Sequence, residues 1–383
     1  MGLAAQTTAP DTAGNPSDAE TLARLRLIRS ENVGPVTFAR LLERYGNARV
    51  ALEALPGLAG KGGRAKPLRI CSRAEAEAEI AELHALGARI ICKGTVGYPP
   101  LLGHIDDAPP VIFVRGHPGL LSKKAVALVG SRNASVNGRR FARQMAMRLG
   151  QAGYLVVSGM ARGIDTAAHV GALETGTAAV MGGGVDVCYP RENQDLYDDL
   201  IRVGAVCTEV RVGTQPQARH FPRRNRIISG MARAIVVLEA GARSGSLITA
   251  RMALEQGREV FAVPGAPQDS RVKGSNALIR DGAVLTEDAD DVIRVLAEMD
   301  ARVLNEDRTP SFGGAEAAPV PAGDVDAARG PVMQALGFGP TDIDEIIRET
   351  ACAAAAVHVV LLELEVAGGL ERQAGNRVAL IAS

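Results

Sequence analysis

The sequence predicts an α/β protein built on a doubly wound, mostly parallel sheet, with a helical module ahead of it and a small mixed unit behind. Three observations predict this class. Short apolar runs alternate with helical segments from residue 111 to residue 299, the pattern of a sheet wound with crossover helices. The runs are almost wholly apolar, as strands buried on both faces are. Nearly every run stops at Gly or Ser, which lets a strand turn tightly into a helix.

Residues 1–17 are polar and small, with no basic start and no apolar run. A disordered tail over 1–18 is expected and a secretory leader is not. Residues 21–56 read as helices. Leu22, Leu25 and Ile28 mark one face, Val33-Gly34-Pro35 is a turn, and Phe38, Leu41, Leu42 and Tyr45 mark the next helix, closed by Gly46. Helix–turn–helix of this kind resembles a SAM-like or helix-hairpin-helix module, a form that often meets a nucleic-acid backbone; a plain helical hairpin accounts for it too. An amphipathic helix over 74–86 and a strand over 88–92 complete a helical domain expected at 19–105. Residues 111–114 form a strand expected on the sheet's edge.

The sheet domain, 106–300, is organised around residues 125–165. The apolar run 125–129 stops at Gly130-Ser131-Arg132-Asn133. A helix over 138–149 follows, with Phe141, Met145 and Leu149 four apart, then a second run, 154–157, stopping at Ser158-Gly159. That is a βαβ unit. Further strands are expected at 178–181, 205–210, 234–238, 260–263 and 283–285, with helices at 163–173, 193–203, 225–231, 247–256 and 288–299; 213–221 reads as a loop. Residues 309–330, rich in Pro, Gly, Ala and acids, place a linker at 301–330. Residues 331–383 read as helices at 332–336, from 341 and at 357–366, then a hairpin, an order that resembles a winged helix. Helix 357–366 carries His358, Glu363 and Glu365 but no Arg or Lys, so contact with protein fits it better than contact with a phosphate backbone.

Composition narrows the function. No apolar run reaches the roughly 18 residues of a membrane span, so no membrane partner is expected. Five cysteines without CxxC spacing argue against a disulfide framework or zinc site and for a reducing cytoplasm. The formal net charge is zero, yet residues 111–260 hold 20 Lys+Arg against 11 Asp+Glu, leaving 23 against 32 elsewhere. A basic middle with acidic flanks favours an anionic ligand on the sheet domain. Only six of the 43 basic residues are lysine; arginine suits phosphate and base stacking, and a general compositional bias explains the excess equally well.

In an open α/β sheet, ligands sit at the carboxyl ends of the strands. The first turn is not G-x-G-x-x-G, the second strand ends at Ser158 where a ribose-binding acid would stand, and there is no Walker-type loop; NAD, ATP or another cofactor is not expected. Four Gly/Ser turns remain, 130–133, 158–163, 182–184 and 244–246, with Arg132 and Arg162 in two of them and Arg243 directly before a third. Each is also what any tight βα connection looks like, but backbone N–H groups at helix starts bind phosphate without further code. The densest feature is His220-Phe221-Pro222-Arg223-Arg224-Asn225-Arg226: three arginines and a phenylalanine in a chain with 3% aromatics. Arginines hold phosphates and an exposed ring stacks a base, and basic residues beside a helix's positive end want an anion. Asp165 and His169, four apart, with Glu239, allow an acid–base reading, although such a pair more often caps a helix. No Gly-x-Ser-x-Gly elbow appears.

These residues are similar to the DprA/Smf family of DNA-processing proteins. The likeness covers about 125–285 through Val-Gly-Ser-Arg (129–132), Ser-Gly-Met-Ala-Arg-Gly-Ile-Asp-x-x-Ala-His (158–169), Tyr-Pro-x-x-Asn (189–193), Phe-Pro-x-Arg-Asn-Arg-Ile-Ile-Ser-Gly (221–230), Glu-Ala-x-x-x-Ser-Gly-Ser-Leu-Ile-Thr-Ala (239–250), Val-Pro-Gly (263–265) and Lys-Gly-Ser-Asn-x-Leu-Ile-x-x-Gly-Ala (273–283). Met160 stands where the family usually has Leu. The resemblance implies an extended Rossmann-like domain that binds single-stranded DNA, forms a homodimer and helps load RecA in natural transformation, without enzymatic activity. Carried over by motif, the DNA pocket is expected at Gly130, Ser131, Arg132, Ser158, Gly159, Arg162 and Gly163, at Phe221, Arg223, Arg224, Asn225 and Arg226, and at Ser244, Gly245 and Lys273. The competing reading is a phosphoribohydrolase-like enzyme of related fold; its usual Pro-Gly-Gly-x-Gly-Thr-x-x-Glu is replaced here by Glu239-Ala-Gly-Ala-Arg-Ser-Gly-Ser.

Overall fold

The computed structural model describes residues 17–306, 321–373 and 375–381. The expected tail therefore lies outside the described residues, apart from Ser17 and Asp18. Four helices come first: α1 (Asp18–Ile28), α2 (Pro35–Tyr45), α3 (Ala48–Lys61) and α4 (Arg73–Ala85). The sheet region follows as β1 (Arg89–Cys92), β2 (Val111–Gly116), β3 (Ala125–Gly130), α5 (Val136–Gln151), β4 (Leu155–Ser158), α6 (Ile164–Ala172), β5 (Thr177–Val180), α7 (Gln194–Val203), β6 (Ala205–Thr208), α8 (His220–Met231), β7 (Ala234–Leu238), α9 (Gly245–Glu255), β8 (Glu259–Ala262), α10 (Lys273–Arg280), β9 (Val284–Leu285) and α11 (Ala289–Glu306). Last come α12 (Ala322–Ala335), β10 (Thr341–Asp342), α13 (Ile343–Thr350), α14 (Ala354–Ala367), β11 (Leu370–Gln373) and β12 (Arg377–Leu380).

The nine strands lie in the order β1-β2-β6-β5-β4-β3-β7-β8-β9. β2 pairs antiparallel with both its neighbours, β1 and β6, and every other pairing in the sheet is parallel. From β3 the chain winds one way through β4, β5 and β6, then returns to β3's other side with β7, β8 and β9. That reversal opens a crevice beyond the carboxyl ends of β3, β4 and β7. β3 is buried from Ala125 to Val129, with Ala127 opposite Val157 on one side and Ile235 on the other. One face of the sheet packs on α5, α6 and α11, the other on α8 and α9.

Several expectations need correction. β2 is not the edge strand; β1 pairs outside it, so the sheet begins at Arg89, ahead of residue 106. α8 starts at His220, not at Asn225, because Pro222 and the arginines sit inside its first turns, where proline costs a helix little. α10, an amphipathic helix starting in the Lys-Gly-Ser-Asn stretch, is an element beyond those the strand-and-turn rhythm predicts. Of the linker at 301–330, residues 301–306 belong to α11 and 322–330 to α12; alanine, which made the stretch look featureless, is also the strongest helix former. Residues 307–320 lie outside the described residues.

The chain divides into two compact units, one over Glu79–Leu304, the other uniting Asp18–Ala78 with the described residues after Asn305. In the second, α12, α13, α14 and the three-stranded sheet β10-β12-β11 form a winged helix. Its helix α14 packs on the amino-terminal helices: Leu362 and Val366 sit in one core with Leu27, Phe38, Leu41 and Leu55. Gly62 makes this approach possible, since a Cβ there would lie 2.2 Å from the Glu363 carbonyl oxygen. Polar contacts close the seam. Thr37 Oγ1 donates to Glu365 Oε1 at 2.8 Å, and Arg372 Nε pairs with Glu365 Oε2 at 2.9 Å. Arg329 reaches the buried Glu363 at 2.6 Å and the Lys61 carbonyl at 2.9 Å. Asn32 donates to the Val366 carbonyl and Arg40 to His358 Nδ1, both at 3.1 Å.

Candidate functional site

Each wall of the crevice is set by local sequence. β3 ends in the turn Gly130–Asn133, and Ser135 caps α5, its Oγ accepting from Gly138 N at 2.8 Å. Glu239, at the end of β7 with φ +46°, fastens that cap: its Oε2 accepts from Ser135 N at 2.7 Å and its Oε1 from the Ser135 hydroxyl. β4 ends at Ser158, and Asp165 closes the next turn by accepting from Gly159 N at 3.1 Å and Ala161 N at 3.3 Å. Met160, buried within that turn, takes φ +60° and is held by Asn193 Nδ2, which donates to its carbonyl at 2.9 Å. Ser244 caps α9.

These turns and the start of α8 enclose a cleft of about 910 Å³. Gly130, Ser131 and Arg132 line it from one side, Phe221, Arg224 and Asn225 from α8, and Ser244 and Gly245 from the far side. A second hollow of about 250 Å³ shares Arg132, Phe221 and Arg224 and adds Gly159 and Arg162. Phe221 is the centrepiece. The Arg132 guanidinium lies 5.0 Å from its ring centroid, within cation–π range, and the Tyr189 ring stands 5.8 Å away at 37°. Tyr189 is 46% exposed.

Arg224 is the buried charge of the site. Its Nη1 donates to the Val180 carbonyl at 2.9 Å, its Nε has no hydrogen-bond partner, and it packs so closely that a Cβ on Gly159 would fall 1.7 Å from Nη1. Burial pushes its pKa down to about 10, opposed by the charge of Asp165, so it stays a cation at neutral pH. Burial pushes the Asp165 carboxyl up, against the pull of Arg224 and the two backbone N–H groups. Arg162 pairs with Glu192 at 2.6 Å on the surface. Among the described residues Arg132 and Arg243 form no ion pair.

Five expected residues stand elsewhere. Ser158 is wholly buried, its hydroxyl donating to the Leu128 carbonyl at 2.6 Å. Gly163 caps α6 beneath the first turn. Arg226 is turned inward and holds the Asp107 carbonyl at 2.6 Å and Glu209 Oε2 at 2.5 Å. Arg223 and Lys273 are exposed but line neither cavity. Of the four turns, 182–184 lines neither cavity; Gly182 lies under the Phe221 ring. Tyr189 and Arg271 line the cleft as well, as does Ser246 from the 244–246 turn. Tyr189 lay in a recognised motif, but only the fold brings it to Phe221.

The acid–base reading gains no geometry. His169 is fully buried, its Nδ1 2.7 Å from Thr177 Oγ1. Because that hydroxyl donates to Val156 O, His169 carries its proton on Nδ1. Burial and Arg224 push its pKa down to about 3, so it is neutral. Glu239 lines neither cavity and is engaged by Ser135. Among the described residues, no cluster of three His, Cys, Asp or Glu is placed to hold a metal, and no helix is long and apolar enough to cross a membrane.

Comparison with known proteins agrees with this architecture. Residues 89–297 match the family model for DNA recombination-mediator protein A, 18–81 that of the DprA-like N-terminal HHH domain and 316–376 that of the DprA winged helix domain. The chain is 45% identical over 198 residues to the DNA processing protein DprA of Streptococcus pneumoniae, covering 51% of this chain and 70% of that protein. It is 35% identical over 311 residues to Protein Smf of Escherichia coli, covering 80% and 82%. The X-ray structure of the pneumococcal DprA superposes with TM-score 0.59 at 36% identity, over 71% of this chain and 95% of that one. DNA processing protein A of Helicobacter pylori shares the fold, with TM-score 0.51 at 24% identity, over 55% of this chain and 96% of that one.

Proposed function

The chain belongs to the DprA/Smf family of DNA-processing proteins, and from that premise we propose that it binds single-stranded DNA in the cleft beyond β3, without acting as an enzyme. The observation that carries this is the Arg132–Phe221–Tyr189 stack at the mouth of a cleft with arginines on several sides. A ring flanked by a guanidinium and a second ring suits an unstacked base, while the remaining arginines and the turn N–H groups suit phosphates. The Helicobacter pylori relative has a single-stranded DNA binding mode of its own. The position of Glu239 speaks for binding over hydrolysis, because the acid that a base-releasing enzyme would use is occupied in capping α5. By the family reading, the protein acts in the cytoplasm as a homodimer joined through the α/β unit, protects incoming strands during natural transformation and helps load RecA.

The test is fluorescence anisotropy of labelled oligo-dT, with duplex of equal length as competitor, at two salt concentrations. The expected result is binding that resists duplex and falls with salt, with a log–log slope of roughly −2 to −3 for three or four phosphate contacts. Equal affinity for duplex and single strand would overturn the reading.

A further inference from the structure

Of all the described helices, α5 and α8 alone carry three or more arginines and no carboxylate. α8 forms one wall of the cleft. α5 begins three residues after Asn133, which lines both cavities, and points a distinct stripe outward. Val136, Arg140, Arg143 and Met147 follow one another at spacings of four, three and four, so they share a face. That face is open: Val136 is 73% exposed and Met147 45%, and both arginines are exposed. The opposite face is fixed to the sheet by Ala142, Met145, Ala146 and Leu149.

The charges on this stripe are uncompensated. Among the described residues neither Arg140 nor Arg143 forms an ion pair, whereas Arg148, off the stripe, pairs with Asp290 at 2.9 Å. The amino end of α5 is already met by the Glu239 carboxylate, so the charges left open on this stripe are the guanidinium groups of Arg140 and Arg143 themselves. The remaining exposed groups are apolar, which suits the faces of bases rather than a second phosphate layer.

We propose that the outer face of α5 is a second binding track, taking the phosphates of a single strand on Arg140 and Arg143 and its bases on Val136 and Met147 after the strand leaves the cleft. The proposal rests on the single-strand reading of the cleft. At 1.5 Å per residue, Val136 to Met147 spans about 16 Å, room for a few further nucleotides.

The experiment uses the full chain and two lengths of labelled oligo-dT, about 6 and about 25 nucleotides, within and beyond the reach of one small binding site. In the Arg140→Gln/Arg143→Gln double variant, the salt slope for the long strand should fall in magnitude by about 1.4, at about 0.7 per charge on single strands. Affinity for the short strand should be unchanged. Arg148→Gln, on the same helix but off the stripe, should leave both slopes unchanged. An unchanged long-strand slope in the double variant overturns the track, as does an equal loss on the short strand or an equal effect of Arg148→Gln. If the wild-type protein binds neither oligonucleotide, the cleft reading itself falls and takes the track with it.

Discussion

The cleft of the α/β unit and the seam of the terminal unit are both rich in arginines, and these differ in what they pair with. In the seam, Glu363 answers Arg329, Glu365 answers Arg372 and Thr37, and Arg40 donates to His358. In the cleft, Arg132 lies against an aromatic ring and forms no ion pair among the described residues, and the buried Arg224 is faced by the buried Asp165; each region keeps one buried arginine nitrogen without a hydrogen-bond partner, Arg224 Nε and Arg372 Nη2, so the contrast lies in ion pairing. Ion-paired arginines hold two pieces of chain together, whereas an arginine without an ion pair, such as Arg132, leaves a charge that the proposed anionic ligand would meet. Much of α14 is buried, and part of it forms the amino-terminal core.

The comparison can be broken first at the seam. Glu363→Ala removes the partner of Arg329 in a mostly buried pair, and the terminal unit should lose about 2–3 kcal/mol, less than a fully buried pair because Arg329 keeps some solvent. Chemical denaturation monitored with anisotropy should show that loss with oligo-dT affinity unchanged; reduced affinity would mean the two regions are not separable. Next is Arg224→Ala. Losing a charged hydrogen-bonding partner for a phosphate should weaken oligo-dT binding by about 2 kcal/mol, roughly 30-fold, while the terminal unit's unfolding transition stays in place.

How far the sequence could foresee this division depends on the range of the contacts. The strand-and-turn rhythm and the arginines beside Phe221 are local, and local pattern predicts them; the reversal at β3 is not, since β7 pairs there from about a hundred residues on. The fate of Arg226 is not local: Asp107 and Glu209 arrive from 119 and 17 residues away, so a residue in an apparent binding cluster becomes a buried strut. Ser158 looked like a turn donor until its strand neighbour Leu128 took its hydroxyl. Tyr189 and Phe221, on different elements, become one feature only by folding. The seam was the least legible part, because residues 32–64 recognise residues 329–372 and neither segment signals the other.

Two finer probes sharpen the comparison. Phe221→Ala should cost about 1–2 kcal/mol of single-strand affinity through lost stacking, with less effect on salt slope than Arg132→Ala; equal changes in slope would mean the ring acts only by positioning Arg132. The smallest effect belongs to His358, whose pKa is held below its ordinary value by burial, then by Arg40 and Arg372, against a weaker pull from Asp344 and Glu43. A depressed folded-state pKa means that the unfolded chain takes up the proton first. The contribution is therefore present above about pH 6.5 and lost as pH falls, by less than about 1.4 kcal/mol per pH unit. The protection factors of α14 amides, exchange rates corrected for the intrinsic rate at each pH, should fall on acidification in the wild type and less so in His358→Gln.

The shared core of the terminal unit has a consequence for the order in which the protein is made. Residues 18–78 leave the ribosome first, yet their core includes Leu362 and Val366. At roughly 5–20 residues per second, synthesis of the intervening segment takes on the order of 15–60 s. Throughout that interval the α/β unit can fold by itself while the amino-terminal helices expose the apolar faces of α2 and α3. The nascent chain thus carries a sticky amino-terminal module until residues 362–366 are made, and a chaperone that shields this module is expected to raise the yield of the 383-residue chain more than that of the isolated α/β segment.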